Sequence, residues 1–126
     1  MVSQAIDDSS EVEGVFLRAL LKIGLKLNID FTYQSKLLGG RIDRGGIIID
    51  FLFANPPTLA INVQGIYWHY DQGAAVIQND ILDRTTLAGL GLTLIWVDED
   101  DVLNDAEYYA REALQFRDHS RLAAGG

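Results

Sequence analysis

The residues with chemical potential gather around two apolar runs between Gly45 and His69. Asp50 interrupts Ile47-Ile48-Ile49-Asp50-Phe51-Leu52-Phe53. Asn62 and Gln64 close the run that begins Leu59-Ala60-Ile61, and Tyr67, Trp68 and His69 follow directly. Residues two apart on a strand share a face, so Asn62 and Gln64 point the same way. If the runs are neighbouring strands, Asp50, Asn62, Gln64 and His69 converge at one sheet edge. A carboxylate there is a hard-cation ligand, and an imidazole there changes charge near neutral pH. This convergence is the candidate site, with Asp50, Gln64 and His69 expected around one shallow cleft.

Three further groups carry chemistry and also have a purely structural explanation. Glu13 suits a metal site, but it also lies in the first turn of an expected helix, where the dipole favours acids. Arg41 and Arg44 flank a glycine-rich stretch, Gly39-Gly40-Arg41-Ile42-Asp43-Arg44-Gly45-Gly46. They are the best local basic pair for phosphate contacts, whereas glycines in hairpins serve positive φ. Asp98-Glu99-Asp100-Asp101 lacks calcium-loop spacing and is expected to be a solvated loop.

Periodicity supplies the elements that must position these groups. Ser10-Glu11-Val12-Glu13 reads as a capping box with Ser10 as N-cap, and Val12, Phe16, Ala19, Leu20 and Ile23 form one helical stripe that Gly24 ends. Phe31 to Gln34 alternates as a short strand. Gly45–Phe53 is too apolar for a strand with a wet face and is expected to be the central strand, flanked by the Phe31 and Leu59 strands. Asn55-Pro56-Pro57-Thr58 is the turn of a hairpin. A helix over Ala74–Ala88 with Ile77, Ile81, Thr85 and Ala88 on one face carries Asp80 and Arg84 as an i,i+4 pair, and permits a parallel crossover to the strand from Leu92 to Val97. Asn104 or Asp105 caps a last helix. The expected architecture is α/β: one domain over 10–117, a polar tail over 1–9 and another over 118–126.

The 126 residues bury an ordinary core, and the absence of cysteine removes disulfide and thiolate-metal chemistry. No leader-like or membrane-spanning run is present, so the expected location is intracellular or within a virion. A net charge of −8 opposes autonomous nucleic-acid binding.

Gly65-Ile66-Tyr67-Trp68-His69 behind a strand-borne Asp50, followed by Asp80, Arg84 and Gly91-Leu92-Thr93-Leu94-Ile95-Trp96, resembles the PD-(D/E)XK restriction-endonuclease-like superfamily. Within it, these motifs are similar to very-short-patch repair endonucleases and related small nuclease-like proteins of phages and bacteria. The resemblance spans about Glu11 to Glu99 and implies a core of order α-β-β-β-α-β plus a C-terminal helix, with a mixed sheet. It makes Asp50 the metal-binding aspartate of the signature. It puts Asn62 where the second acid belongs and Gln64 where the lysine belongs, and it likens Glu13 to the helix-one acid of some members. His69 matches the histidine near the scissile phosphate, and the backbone carbonyl of Val63 matches a metal ligand of the repair branch.

Two signature charges are therefore neutral here. The expected function is that of a nuclease-fold domain without catalysis, with no cofactor, acting as a component of a larger assembly such as a phage particle. Its expected partners are proteins, with homo-oligomers included, and its tails and aromatic loop are the expected contact surfaces. The alternative expectation is a Mg²⁺-dependent DNA endonuclease with a reduced site on Asp50 and His69.

Overall fold

The computed structural model describes residues 8–33, 42–44, 46–64 and 74–121, with 8–10, 42–44 and 74–80 described by their backbone. Helix α1 (Asp8–Ile23) starts two residues before the expected cap, which places Ser10 inside the first turn. Acidic residues are well suited to a helix N-terminus, and the helix begins at one. Val12, Phe16, Ala19 and Leu20 are buried as the stripe requires. Gly24 ends the helix at φ +119°, donating to Leu21 O while Leu25 N–H reaches back to Leu20 O. This paired closure needs a left-handed residue, which glycine supplies at no steric cost.

Among the described residues six strands follow: β1 (Phe31–Tyr33), β2 (Ile42–Arg44), β3 (Ile47–Ile49), β4 (Phe51–Phe53), β5 (Leu59–Gln64) and β6 (Thr93–Asp98). Helix α2 (Ala74–Gly89) precedes β6, and α3 (Glu99–Leu114) follows it. The described strands form a four-stranded sheet in the order β1-β4-β5-β6 and a two-stranded sheet of β2 and β3. β1, β4 and β5 are antiparallel in turn, and β6 runs parallel to β5 after the α2 crossover, so the sheet is mixed. The Phe31 and Leu59 strands flank β4 as expected.

The expected continuous strand Gly45–Phe53 is instead divided at Asp50. β3 turns away to pair with β2, Arg44 lying opposite Ile47 across a turn in which Gly46 has φ +83°. The cause is local to Asn62. Its Oδ1 accepts the Asp50 N–H at 2.7 Å, and its Nδ2 donates to Ile48 O at 3.0 Å. A side-chain amide thus takes the place of ladder partners where the chain changes sheets.

Helices cover both faces. On the α1 and α3 side, Phe16, Phe51, Leu59, Ile61, Val63 and Ile95 join the large core cluster, with Tyr33 stacked on Phe51 at 4.7 Å and Phe16 edge-on to it at 5.2 Å. On the α2 side, Ile49, Ala60, Leu87 and Leu94 form a smaller one.

α2 buries a different face from the one expected. Leu87 is fully buried and Asp83 and Arg84 are half-buried, while Ile81, Thr85 and Ala88 are exposed. The helix is oriented by polar contacts, since Arg84 donates to Leu94 O at 3.2 Å and to Asp118 at 2.9 Å. Asp80's side chain lies outside the described residues.

Asp98 to Asp101 is likewise not a solvated loop. Asp98 ends β6 fully buried, and Glu99, Asp100 and Asp101 make the first turn of α3, where the dipole favours acids. α3 is kinked at Asp105, whose side chain accepts the Tyr108 N–H at 3.1 Å and so caps the second segment as expected. Residues 118–121, placed by sequence in a tail, hydrogen-bond along β6, and Ser120 is buried. Residues 1–7 and 122–126 lie outside the described residues, as does the expected aromatic loop.

Candidate functional site

The alternation of β5 sends Leu59, Ile61 and Val63 into the α1 side of the sheet and Ala60 into the α2 side. Asn62 and Gln64 therefore share the α2 face. There they line a cleft of about 270 Å³ together with Asp50, Val63, Asp83 and Trp96, and Gly46, Ile47 and Ile48 complete its wall. Asp50, Asn62, Val63 and Gln64, all singled out by sequence, are brought together.

Asp50 is 2 % exposed, and its Oδ2 accepts the Val63 N–H at 2.9 Å. With the Asn62 bridge to its own N–H, this anchors the carboxylate at the point where β3 and β4 part. Asn62 is engaged through both atoms of its carboxamide, its carbonyl accepting a backbone N–H and its amide nitrogen donating to a backbone carbonyl. Gln64 is 1 % exposed, and its Oε1 is buried with no hydrogen-bond partner among the described residues. The indole Nε1 of Trp96 is buried and unpartnered in the same sense.

Two cleft residues were not singled out by sequence. Asp83 brings a second carboxylate from α2, and Trp96 brings an aromatic wall from β6. The signal for Asp83 is its spacing of four from Leu87, a residue of α2 that is fully buried.

Glu13 does not line this cleft. It is fully buried on the α1 side, where its Oε1 accepts the Tyr33 hydroxyl at 3.2 Å. The α1 stripe that buries Phe16 carries Glu13 to that face, away from Gln64. His69 and Arg41 lie outside the described residues, and Arg44 is described by its backbone on β2.

A second polar cluster lies beyond β6. Ligand oxygens of Asp98, Asp100 and Asp101 fall within 4.8 Å of one another. The Arg121 guanidinium lies among them, 3.0 Å from Asp98 Oδ2 and 2.8 Å from Asp100 Oδ2. Its hydrogen bond holds the Asp100 carboxyl below its ordinary range, while burial and then the Asp100 charge push Asp101 up. Glu112 is lowered by its hydrogen bond to His119 at 2.9 Å and, after burial opposes this, by Arg117. Burial raises the Tyr109 phenol. These groups hold the C-terminal segment in place.

A Mg²⁺ ion needs an octahedral shell of hard oxygens, commonly anchored by carboxylates. The cleft supplies the carboxylates of Asp50 and Asp83, whereas Asn62 and Glu13 are engaged elsewhere, so the expected donor set is incomplete. No basic residue lines the cleft among the described residues. No helix among the described residues is long and apolar enough to cross a membrane. Comparison with family models, with curated proteins and with solved structures found no match.

Proposed function

We propose that this α/β domain is a nuclease-like fold that works by contact, as a protein component of a larger assembly, and not by hydrolysing phosphodiesters. The observation that carries the reading is the position of Asn62. Where the resembled signature needs an anionic metal ligand, a neutral carboxamide bridges Ile48 O and Asp50 N–H and stabilises the parting of two strands. Gln64, at the position of the signature lysine, carries no charge to assist an attacking water. The acidic balance of −8 further opposes an unaided grip on DNA. The restriction-endonuclease-like core belongs to the same proposal. It is supported by the α-β-β-β-α-β order of α1, β1, β4, β5, α2 and β6, with β2 and β3 as an additional hairpin.

The test is incubation of the purified protein with plasmid and linear DNA in Mg²⁺ or Mn²⁺. The expected result is no cleavage above that of an Asp50→Ala control. Asn62→Glu combined with Gln64→Lys asks whether the missing charges restore it. Robust wild-type cleavage that Asp50→Ala abolishes overturns the proposal.

One observation favours a second reading, a reduced metal-dependent endonuclease: Asp83 places another carboxylate in the Asp50 cleft. Under that reading Asp83→Asn abolishes the cleavage as fully as Asp50→Ala does.

A further inference from the structure

We infer that the cleft between β5, β6 and α2 receives an uncharged carboxamide, the side chain of a glutamine or asparagine presented by a protein partner. This names what the partner of the contact reading above brings to the cleft and rests on that reading. Two orphaned polar atoms define what fits. Gln64 is 1 % exposed, and its Oε1 has no hydrogen-bond partner among the described residues. The indole Nε1 of Trp96 is buried and equally without one. Trp96 lies opposite Asn62 on β6 and packs with the α2-side cluster. It is therefore a diagonal neighbour of Gln64 on the same face of the sheet, and both residues line the cleft. A buried acceptor and a buried donor left unpaired are each unfavourable, and a buried indole N–H ordinarily finds an acceptor. A ligand that carries both a donor and an acceptor relieves both. Asp50 and Asp83 have interactions of their own, and the fit asks nothing of them.

The pairing of one orphaned acceptor with one orphaned donor separates a carboxamide from charged ligands. An ammonium or guanidinium carries donors alone and leaves the Trp96 N–H unanswered. A carboxylate or phosphate carries acceptors alone, leaves Gln64 Oε1 unanswered and meets a chain of net charge −8. A metal ion cannot be ligated by an indole N–H, which only donates. A carboxamide has its acceptor and its donors on neighbouring atoms of one flat group. Gln64 carries the same group, so two carboxamides pair in whichever way the Gln64 amide is turned. The cleft, at about 270 Å³, falls below the roughly 300–1,000 Å³ that drug-sized ligands occupy and suits a single side chain. Its Ile47 and Ile48 wall is apolar, as the methylene stem of that side chain requires.

The probes are N-acetyl-glutamine methylamide and N-acetyl-asparagine methylamide, titrated into the full chain and followed by the Trp96 indole N–H and Gln64 side-chain amide resonances. N-acetyl-glutamate methylamide, N-acetyl-methionine methylamide and adenosine are titrated in parallel. The three comparison compounds supply an anionic isostere, an apolar stem and a nucleobase. The expected result is saturable movement of both resonances by at least one carboxamide compound, the tighter of the two naming the side chain. The glutamate and methionine compounds should bind about tenfold more weakly, as loss of one hydrogen bond implies. Trp96→Phe, read at Gln64, and Gln64→Met, read at Trp96, should each weaken the carboxamide response about tenfold. Equal binding of the methionine compound overturns the inference, and that comparison uses the unmutated protein. So does tighter binding of adenosine, or an indole resonance that no compound moves, which would leave the cleft to water. Failure of the contact reading is seen separately, as Asp50-dependent DNA cleavage. A cleft blind to carboxamides in a chain that does not cleave DNA overturns this inference alone.

Discussion

Asp118 Oδ2 accepts the backbone N–H of Trp96 at 3.0 Å, so a residue after the last helix satisfies the outer edge of β6. The same oxygen lies 2.9 Å from Arg84 Nη2, and Arg84 Nη1 takes Leu94 O on that edge. Arg121 continues the row by donating its N–H to Asp98 Oδ2 at 3.0 Å. An open strand edge is a template for pairing with other chains, and here side chains from α2 and the C-terminal segment occupy it.

Asp118→Ala is therefore expected to destabilise by about 2–3 kcal/mol, because Arg84 and the Trp96 N–H lose a shared, largely buried acceptor. The melting temperature should fall by roughly 10 °C. Light scattering on heating should also begin earlier than in Arg117→Ala, whose ion pair is with Glu112 of α3. Equal behaviour of the two variants would show that the edge is not protected by Asp118.

Asn62→Asp should be among the most damaging isosteric changes in the domain, at about 3 kcal/mol or more. The carboxylate keeps an acceptor for Asp50 N–H but loses the donor to Ile48 O, and it buries a second negative charge beside Asp50. Urea unfolding measures this. Wild-type stability in the variant would mean that the bridge does not hold β3 and β4 apart, and would remove the main support for a structural Asn62.

Phe116 adopts φ +65° at the end of α3, where its N–H reaches Ala113 O and Arg117 N–H reaches Glu112 O. Glycine takes the same role after α1 and α2, at Gly24 and Gly91. Phe116→Gly should stabilise by about 0.5–1 kcal/mol, because the left-handed conformation is strained for a residue with a Cβ and the ring is 40 % exposed. A lower urea midpoint in the variant would show that the ring contributes more by packing than it loses to strain.

The C-terminal segment should loosen in acid. Asp100 is held low by Arg121, and Glu112 by His119 and then Arg117. A carboxyl whose folded pKa lies below its unfolded value contributes stability that is present above the unfolded value and is lost as pH falls through the folded one. Asp101, raised by burial, has the opposite sign and contributes at low pH until its folded pKa is passed. Exchange protection of the Arg121 amide should thus decline between roughly pH 5 and pH 3, after correction for intrinsic rates. Asp100→Asn should flatten that decline, and an unchanged profile in this variant would exclude Asp100 as its source.

By itself the sequence determined the elements whose information is local. The Val12–Leu20 stripe and Gly24 define α1 and its end, and the apolar runs around Asn55–Thr58 define the β4–β5 hairpin. The Ala74 helix marks a crossover to a buried parallel strand. Alternation also brought Asn62 and Gln64 to one face beside Asp50, which is most of the described candidate site. Periodicity suffices there because each side chain's face follows from its own spacing along the chain.

What tertiary structure decided depends on polar groups meeting across long separations. The break at Asp50 needs the Asn62 carboxamide twelve residues away, and without it the isoleucine and phenylalanine runs read as one strand. The orientation of α2, and with it the entry of Asp83 into the cleft, is linked to Arg84 meeting Asp118 thirty-four residues later. Glu13 goes to the α1 side because its helix packs Phe16 on Phe51 and sets its carboxylate against Tyr33. Side-chain hydrogen bonds to a distant backbone have no period, so no local pattern announces them, and only the assembled sheet fixes which partner each group finds.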